Sequence, residues 1–208
     1  MSRRPAAAAV PAGQDLSLLP AAGFSAHGLW YWAGLAFMLM EGSAFALACA
    51  AYVYLMNSAD QWPLEGRAPA LSWGTAQTVL LLGSLVPTWF LARAALRRDL
   101  KATQGWGVLV AALNALALVI RAVEFLHLNT RWDSDAYGSI TWTLILLHTV
   151  HLITDFVDTF FLTVFLFTHP VPTERFSDVQ DDALYWAYVV FTWLPLYLLI
   201  YWAPRWAP

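Results

Sequence analysis

Charge is what this sequence has least of. Only 12% of its 208 residues are Asp, Glu, Lys or Arg, whereas 60% are hydrophobic and the mean hydropathy is +0.55. A water-soluble domain of this size cannot hide so much apolar surface, so lipid must be the solvent for most of it. The formal net charge of -3 comes without any basic face, which excludes nucleic acid as the main partner. Cysteine is nearly absent: Cys49 stands alone inside a long apolar run, so no disulfide framework exists and its thiol reads as a small packing group. No internal repeat is visible. No signal peptide is expected, because the charged pair Arg3-Arg4 leads into Pro5 and an Ala/Pro stretch rather than a Leu-rich core. Residues 1–26 are expected to form a flexible tail, and 27–208 a single membrane domain.

What is present is a set of long apolar runs. A hydrocarbon core of about 30 Å needs ~20 residues of helix. Five runs qualify: Gly28 to Met56, Leu71 to Leu96, Gly105 to Leu128, Ala136 to Phe167, and Ala183 to Ala203. Backbone polar groups in lipid must be satisfied within the segment, and the short alternation of barrel strands is absent, so helix is the state expected. The fold class is therefore all-α, an integral membrane bundle of five transmembrane helices. The fourth run exceeds a minimal span by about 12 residues and must tilt or project. Lys and Arg set the orientation. Arg3, Arg4, Arg93, Arg97, Arg98, Lys101 and Arg175 fall on one side, and Arg67, Arg131 and Arg205 on the other, which predicts a cytoplasmic amino terminus and an external carboxyl terminus. Tryptophans such as Trp30, Trp62, Trp106, Trp132 and Trp202 gather near run ends, as interfacial anchors do.

Ionisable residues inside the runs are costly in lipid and therefore point to function. Glu41 lies near the middle of the first helix, with Gly34, Ala44 and Ala48 close to the same face. It reads either as a proton-active or partner-facing carboxylate, or as a protonated acid hydrogen-bonded across a helix interface. On the third helix, Asn114, Arg121, Glu124 and His127 follow at intervals that place them along roughly one stripe, with Arg121 and Glu124 able to pair. The fourth helix repeats the pattern with His148, His151, Asp155 and Asp158, a stripe also expected to face inward. These stripes suit packing, lipid contact or proton handling. Glu124-x-x-His127 has the spacing of di-iron carboxylate bundles, but such sites use two copies of the motif and only one occurs here. A haem held by His148 and His151 is disfavoured, because residues of one helix cannot ligate opposite faces of one porphyrin. No metal site is expected.

Taken in order, these segments resemble cytochrome c oxidase subunit III. Trp32-Ala-Gly-Leu-Ala-Phe-Met-Leu-Met-Glu41-Gly-Ser-Ala-Phe45 is similar to the family's buried-glutamate helix. Arg121-Ala-Val-Glu124-Phe, Tyr137-Gly138-Ser139, His148-Thr-Val-His151 and Tyr185-Trp186-Ala-Tyr-Val189 with Trp193 resemble its later motifs in the same order. Ala187 and Val190 stand where the family usually has His and Asp, Arg121 replaces Gln, and Thr149 and Asp155 replace glycines, which marks a divergent member. Five helices match the shorter bacterial form.

The resemblance implies a non-catalytic subunit of a proton-pumping haem-copper terminal oxidase in a bacterial plasma membrane. Such a subunit packs on catalytic subunit I among other oxidase subunits, binds phospholipids, and supports proton uptake and durability of the active site. Haem and copper are expected in the partner subunits and none in this chain. Two other readings stay open: a subunit III-like accessory protein of a nitric oxide reductase, and a self-contained proton-coupled transporter using Glu41, Glu124 and Asp155. The transporter reading has neither repeats nor paired broken helices in its favour.

Overall fold

The computed structural model describes residues 29–64, 67–172 and 175–206. The tail expected over 1–26 lies outside the described residues. Five helices are long and apolar enough to cross a membrane: α1 (Leu29–Ser58), α2 (Leu71–Leu96), α3 (Leu100–Phe125), α4 (Ala136–Thr168) and α5 (Arg175–Tyr197). A π-helical turn over Leu198–Trp202 and a last turn, α6 (Ala203–Trp206), continue the fifth span to the end of the described chain.

The ends of the helices have identifiable causes. Asp99 caps α3 by accepting from the Ala102 N–H at 3.1 Å, so α3 begins ahead of the expected Gly105. Asp135 caps α4 in the same way through the Gly138 N–H at 2.6 Å. The α2 carboxyl end closes with Arg98 N donating to Ala95 O and Asp99 N to Ala94 O, while Arg98 holds a left-handed φ of 55°. Helix α5 starts at Arg175 rather than Ala183. Its first turns read as polar, yet Phe176, Val179 and Ala183 recur at helical spacing and are buried, which leaves the acids Asp178, Asp181 and Asp182 on other faces. Helix α4 has 33 residues and runs about 50 Å, well beyond a hydrocarbon core of about 30 Å.

Helix α2 packs on α3 and α5, α3 on α4, and α4 on α5, while α1 lies against α4 and α5 at the edge. Few residues in its most apolar stretch are buried, 6% against 33–39% in the other four spans, so α1 is the span least covered by the described residues. The core is largely aromatic. Trp186 and Trp193 are fully enclosed, and their indole N–H groups donate to Ser84 Oγ and Thr78 Oγ1, each at 2.8 Å, pinning α5 to α2. Beside them Gly74 lets the Tyr201 ring close in, since a Cβ there would lie 2.6 Å from ring carbons.

The end carrying the α1–α2 and α3–α4 connections is sealed by polar links. Trp62 Nε1 donates to Tyr52 OH at 3.0 Å and its ring stands edge-on to Tyr137. Arg205 Nη2 donates to Pro69 O at 2.6 Å, and Asn129 Nδ2 to Ala68 O at 3.2 Å. Exposed Arg131 pairs with Asp133 at 3.0 Å and holds that carboxyl below its usual range.

Candidate functional site

Helix α4 is the hub, and helical geometry sorts its polar residues. At about 100° per residue, His148 and Asp155 fall within ~20° of each other, whereas His151 and Asp158 lie some 60–80° to one side. The stripe expected to face inward on α4 does so at His148, His151 and Asp155, all buried, and fails at Asp158; what divides it is which helix each residue meets. His148 and Asp155 are buried against α3, His151 turns toward α1, and Asp158 is exposed at the rim of a cleft. The α3 stripe is corrected in the same way. Asn114, Arg121 and Glu124 are buried, but His127 lies beyond the last residue of α3, exposed, with Nδ1 donating to Val123 O at 2.8 Å.

The first polar centre joins α1, α4 and α5. His151 Nε2 lies 3.0 Å from Glu41 Oε1, with the two side chains 10% and 14% exposed. Tyr185 OH donates to both carboxylate oxygens, at 3.2 and 3.0 Å. One turn along α1, the Phe45 ring covers His151 at 4.8 Å between centroids. The His151 Nδ1 faces the Leu147 carbonyl at 2.6 Å, and a carbonyl can only accept, so Nδ1 carries a hydrogen. A single proton is then left between Nε2 and Glu41. Whether it sits on the carboxyl or on the imidazole, the pair as a whole is neutral, which is how a carboxylate can be kept in the membrane interior. A carboxyl and an imidazole in hydrogen-bond contact are the residue types that proton-linked chemistry uses.

Glu41, His151 and Tyr185 open on a cleft of about 1190 Å³ between α1, α4 and α5. Its walls are apolar, with Phe37, Val150, Ile153 and Leu162 among them, and one end carries Asp158, Asp178 and Asp182. Arg175 neutralises Asp178 at 2.7 Å, and Thr159 Oγ1 donates to both oxygens of Asp182 at 3.1 Å. Deeper inside, Asn114 Nδ2 donates to Asp155 Oδ2 at 2.9 Å and links α3 to α4.

The second centre lies wholly inside the bundle. Arg121 Nη1 pairs with Glu124 Oε2 at 2.7 Å, both side chains 1% exposed. Arg121 Nη2 donates to His148 Nδ1 at 3.1 Å, so that nitrogen is an acceptor and Nε2 must carry the hydrogen given to Val189 O at 3.0 Å. The contacts fix His148 as one neutral tautomer. Tyr201 OH donates to Glu124 Oε1 through a short hydrogen bond, and the π-helical turn is what carries this tyrosine to it. The Arg121 guanidinium also lies 4.0 Å over the Trp193 ring, which stabilises a desolvated cation. Glu124 and Glu41 therefore serve separate centres. Among the described residues no three His, Cys, Asp or Glu side chains converge on a common point able to hold a metal ion.

Tyr185, Tyr201 and Trp193 complete these centres, and Thr159 with Asp182 lies at the end of the cleft; none of them is singled out as a site residue by the sequence. Tyr185 is 144 positions from Glu41, and the only signal was that it opens an aromatic motif on α5.

Five membrane-crossing helices with their ionisable side chains turned toward one another define a multi-pass membrane protein built around intramembrane polar contacts. The chain belongs to the cytochrome c oxidase subunit III family, whose model matches residues 35–206. It is similar to cytochrome c oxidase subunit 3 of Thermostichus vulcanus, 23% identical over 171 residues, covering 80% of this chain and 84% of that one. It is also similar to cytochrome c oxidase subunit 3 of Corynebacterium diphtheriae, 29% identical over 132 residues, covering 60% of this chain and 62% of that protein. The family is one of oxidase subunits that assemble with other oxidase subunits.

Proposed function

We propose that this chain is the non-catalytic subunit III of a proton-pumping haem-copper terminal oxidase. It packs on catalytic subunit I in a bacterial plasma membrane, with the amino terminus inside and the carboxyl terminus outside. Haem and copper belong to the partner subunits, and this chain contributes lipid binding, support of proton uptake and durability of the active site. The observation that carries the reading is the Glu41–His151–Tyr185 centre, a carboxyl held by an imidazole and a phenol at the border of a largely apolar cleft wide enough for acyl chains. The weakly buried α1 adds a long apolar surface for a neighbouring subunit or lipid. Orientation rests on Arg93, Arg97, Arg98, Lys101 and Arg175, which all lie at one end of the bundle.

A mild-detergent pull-down with an optical spectrum of the companion tests the assignment. A binuclear haem-copper centre is expected. Haem with non-haem iron would move the chain to a nitric oxide reductase, and substrate movement by the chain alone in liposomes would make it a transporter. Within the assembled oxidase, Glu41→Gln retains an acceptor for Tyr185 and a donor for His151 but removes the shared proton. Assembly should be preserved, while proton pumping falls and inactivation during turnover becomes several-fold faster. Unchanged pumping and turnover lifetime would remove Glu41 from proton-linked behaviour.

A further inference from the structure

We infer that the end of the bundle where α2 turns into α3 holds a binding site for the phosphate headgroup of an anionic membrane lipid. A notch of about 170 Å³ lies there, walled by Trp89, Phe90 and Trp106, with Arg93 and Arg97 on its rim. Phe90 and Trp106 stack face to face at 4.9 Å across the α2–α3 seam, and the Arg93 guanidinium lies 4.1 Å over the Trp89 ring. These contacts hold an apolar floor beside a cation.

Three observations point to a phosphate and to lipid as its source. First, Arg93, Arg97, Arg98 and Lys101 crowd nine positions, all exposed, and none forms an ion pair with a carboxylate among the described residues. The one acid in the lining, Asp99, accepts the Ala102 N–H through Oδ1 as the cap of α3. Elsewhere in the chain exposed Arg131 and Arg175 do find acids, at 3.0 and 2.7 Å, so the lack of an acid partner among the described residues is particular to this cluster. Second, Arg93 and Arg97 are one turn apart on the same face, the spacing at which two guanidinium groups can share one phosphodiester. Third, the depth fits. The 26 residues of α2 extend about 39 Å, so in a core of about 30 Å each end emerges by roughly 5 Å, which places Arg97 at headgroup level and Arg93 at the hydrocarbon boundary, from where its long side chain reaches the headgroups. Trp89 and Phe90, 49% and 40% exposed, lie one turn deeper, where acyl chains begin. A free phosphate would have no use for that aromatic floor, whereas a lipid uses both halves.

This site lies on a different seam from the α1–α4–α5 cleft and requires only that the chain cross a membrane. Its failure would leave the oxidase reading untouched. Native mass spectrometry of the full chain in mild detergent, titrated with phosphatidylglycerol and with phosphatidylcholine, provides the test. Wild type should retain phosphatidylglycerol preferentially, and R93Q/R97Q should weaken that retention about 30-fold with phosphatidylcholine unaffected. Should the double variant fail to fold, R97Q alone, beyond the helix end, should weaken it about fivefold. Equal phosphatidylglycerol affinity in wild type and R97Q overturns the proposal. So does displacement of the lipid by inorganic phosphate, which would make this a free-anion site. Loss of a co-purifying protein from R93Q/R97Q with lipid adducts unchanged would assign the patch to an acidic protein loop instead, and equally overturn it.

Discussion

Arg121→Met should destabilise the protein by about 3–5 kcal/mol, the usual cost of removing one partner from a fully buried ion pair. The reason lies in what is left behind. Glu124 would keep only the Tyr201 hydroxyl, and His148 Nδ1 would lose its donor, in an interior where neither can reach water. Methionine fills much of the space, so the loss reports polar contacts more than a cavity. Melting of the purified chain in mild detergent measures it. The double variant Arg121→Met with Glu124→Leu should recover a substantial part of the loss, because no uncompensated charge remains. A melting point for Arg121→Met equal to wild type would mean that Arg121 and Glu124 do not face each other in the membrane. The same centre joins α3 to α4, to α5 and to the π-helical turn, so it organises most of the bundle.

Gly138→Ala should cost about 1–3 kcal/mol, as forced overpacking does. A Cβ at this position would collide with the Arg131 carbonyl oxygen and lie 2.8 Å from Ser134 Oγ and 2.9 Å from Thr130 Oγ1. The loop cannot simply withdraw. Trp142 Nε1 donates to Thr130 O at 2.9 Å, Ser139 Oγ donates to Trp132 O at 2.8 Å, and Asp135 holds the Gly138 N–H. Gly105→Ala is the matched control: nothing lies within 4 Å of its Cβ, and in a helix interior alanine should gain about 0.5–1 kcal/mol over glycine. Equal melting points for Gly138→Ala and Gly105→Ala would show that the α3–α4 loop is looser than its hydrogen bonds imply.

These expectations show where reading the residues succeeded and where it stopped. Arg121 and Glu124 are three residues apart on one helix, so their pairing was legible from spacing alone. Glu41 stood out because a carboxylate in the middle of an apolar run is costly wherever it points. Its partners were not legible. His151 and Tyr185 approach it from helices 110 and 144 positions away, and nothing local in α1 indicates which of them comes near. The α4 residues read as one stripe because spacings of three, four and three look continuous on paper. Summed as angles they span about 80°, and only the neighbouring helices decide that His148 meets Arg121 while His151 meets Glu41. The early start of α5 was missed for a related reason: three buried apolar residues among charges do not raise a hydropathy average.

Sequence by itself determined the membrane environment, the five spans and the family motifs, because these depend on composition, run length and local order. Tertiary structure alone decided which buried polar group satisfies which other. Desolvation makes every such group need a partner, but the partner is chosen by how helices cross, and that is a property of the whole bundle. Two centres therefore emerged from what the residues alone presented as stripes: one sealed around Arg121, and one around Glu41 at the edge of a cleft.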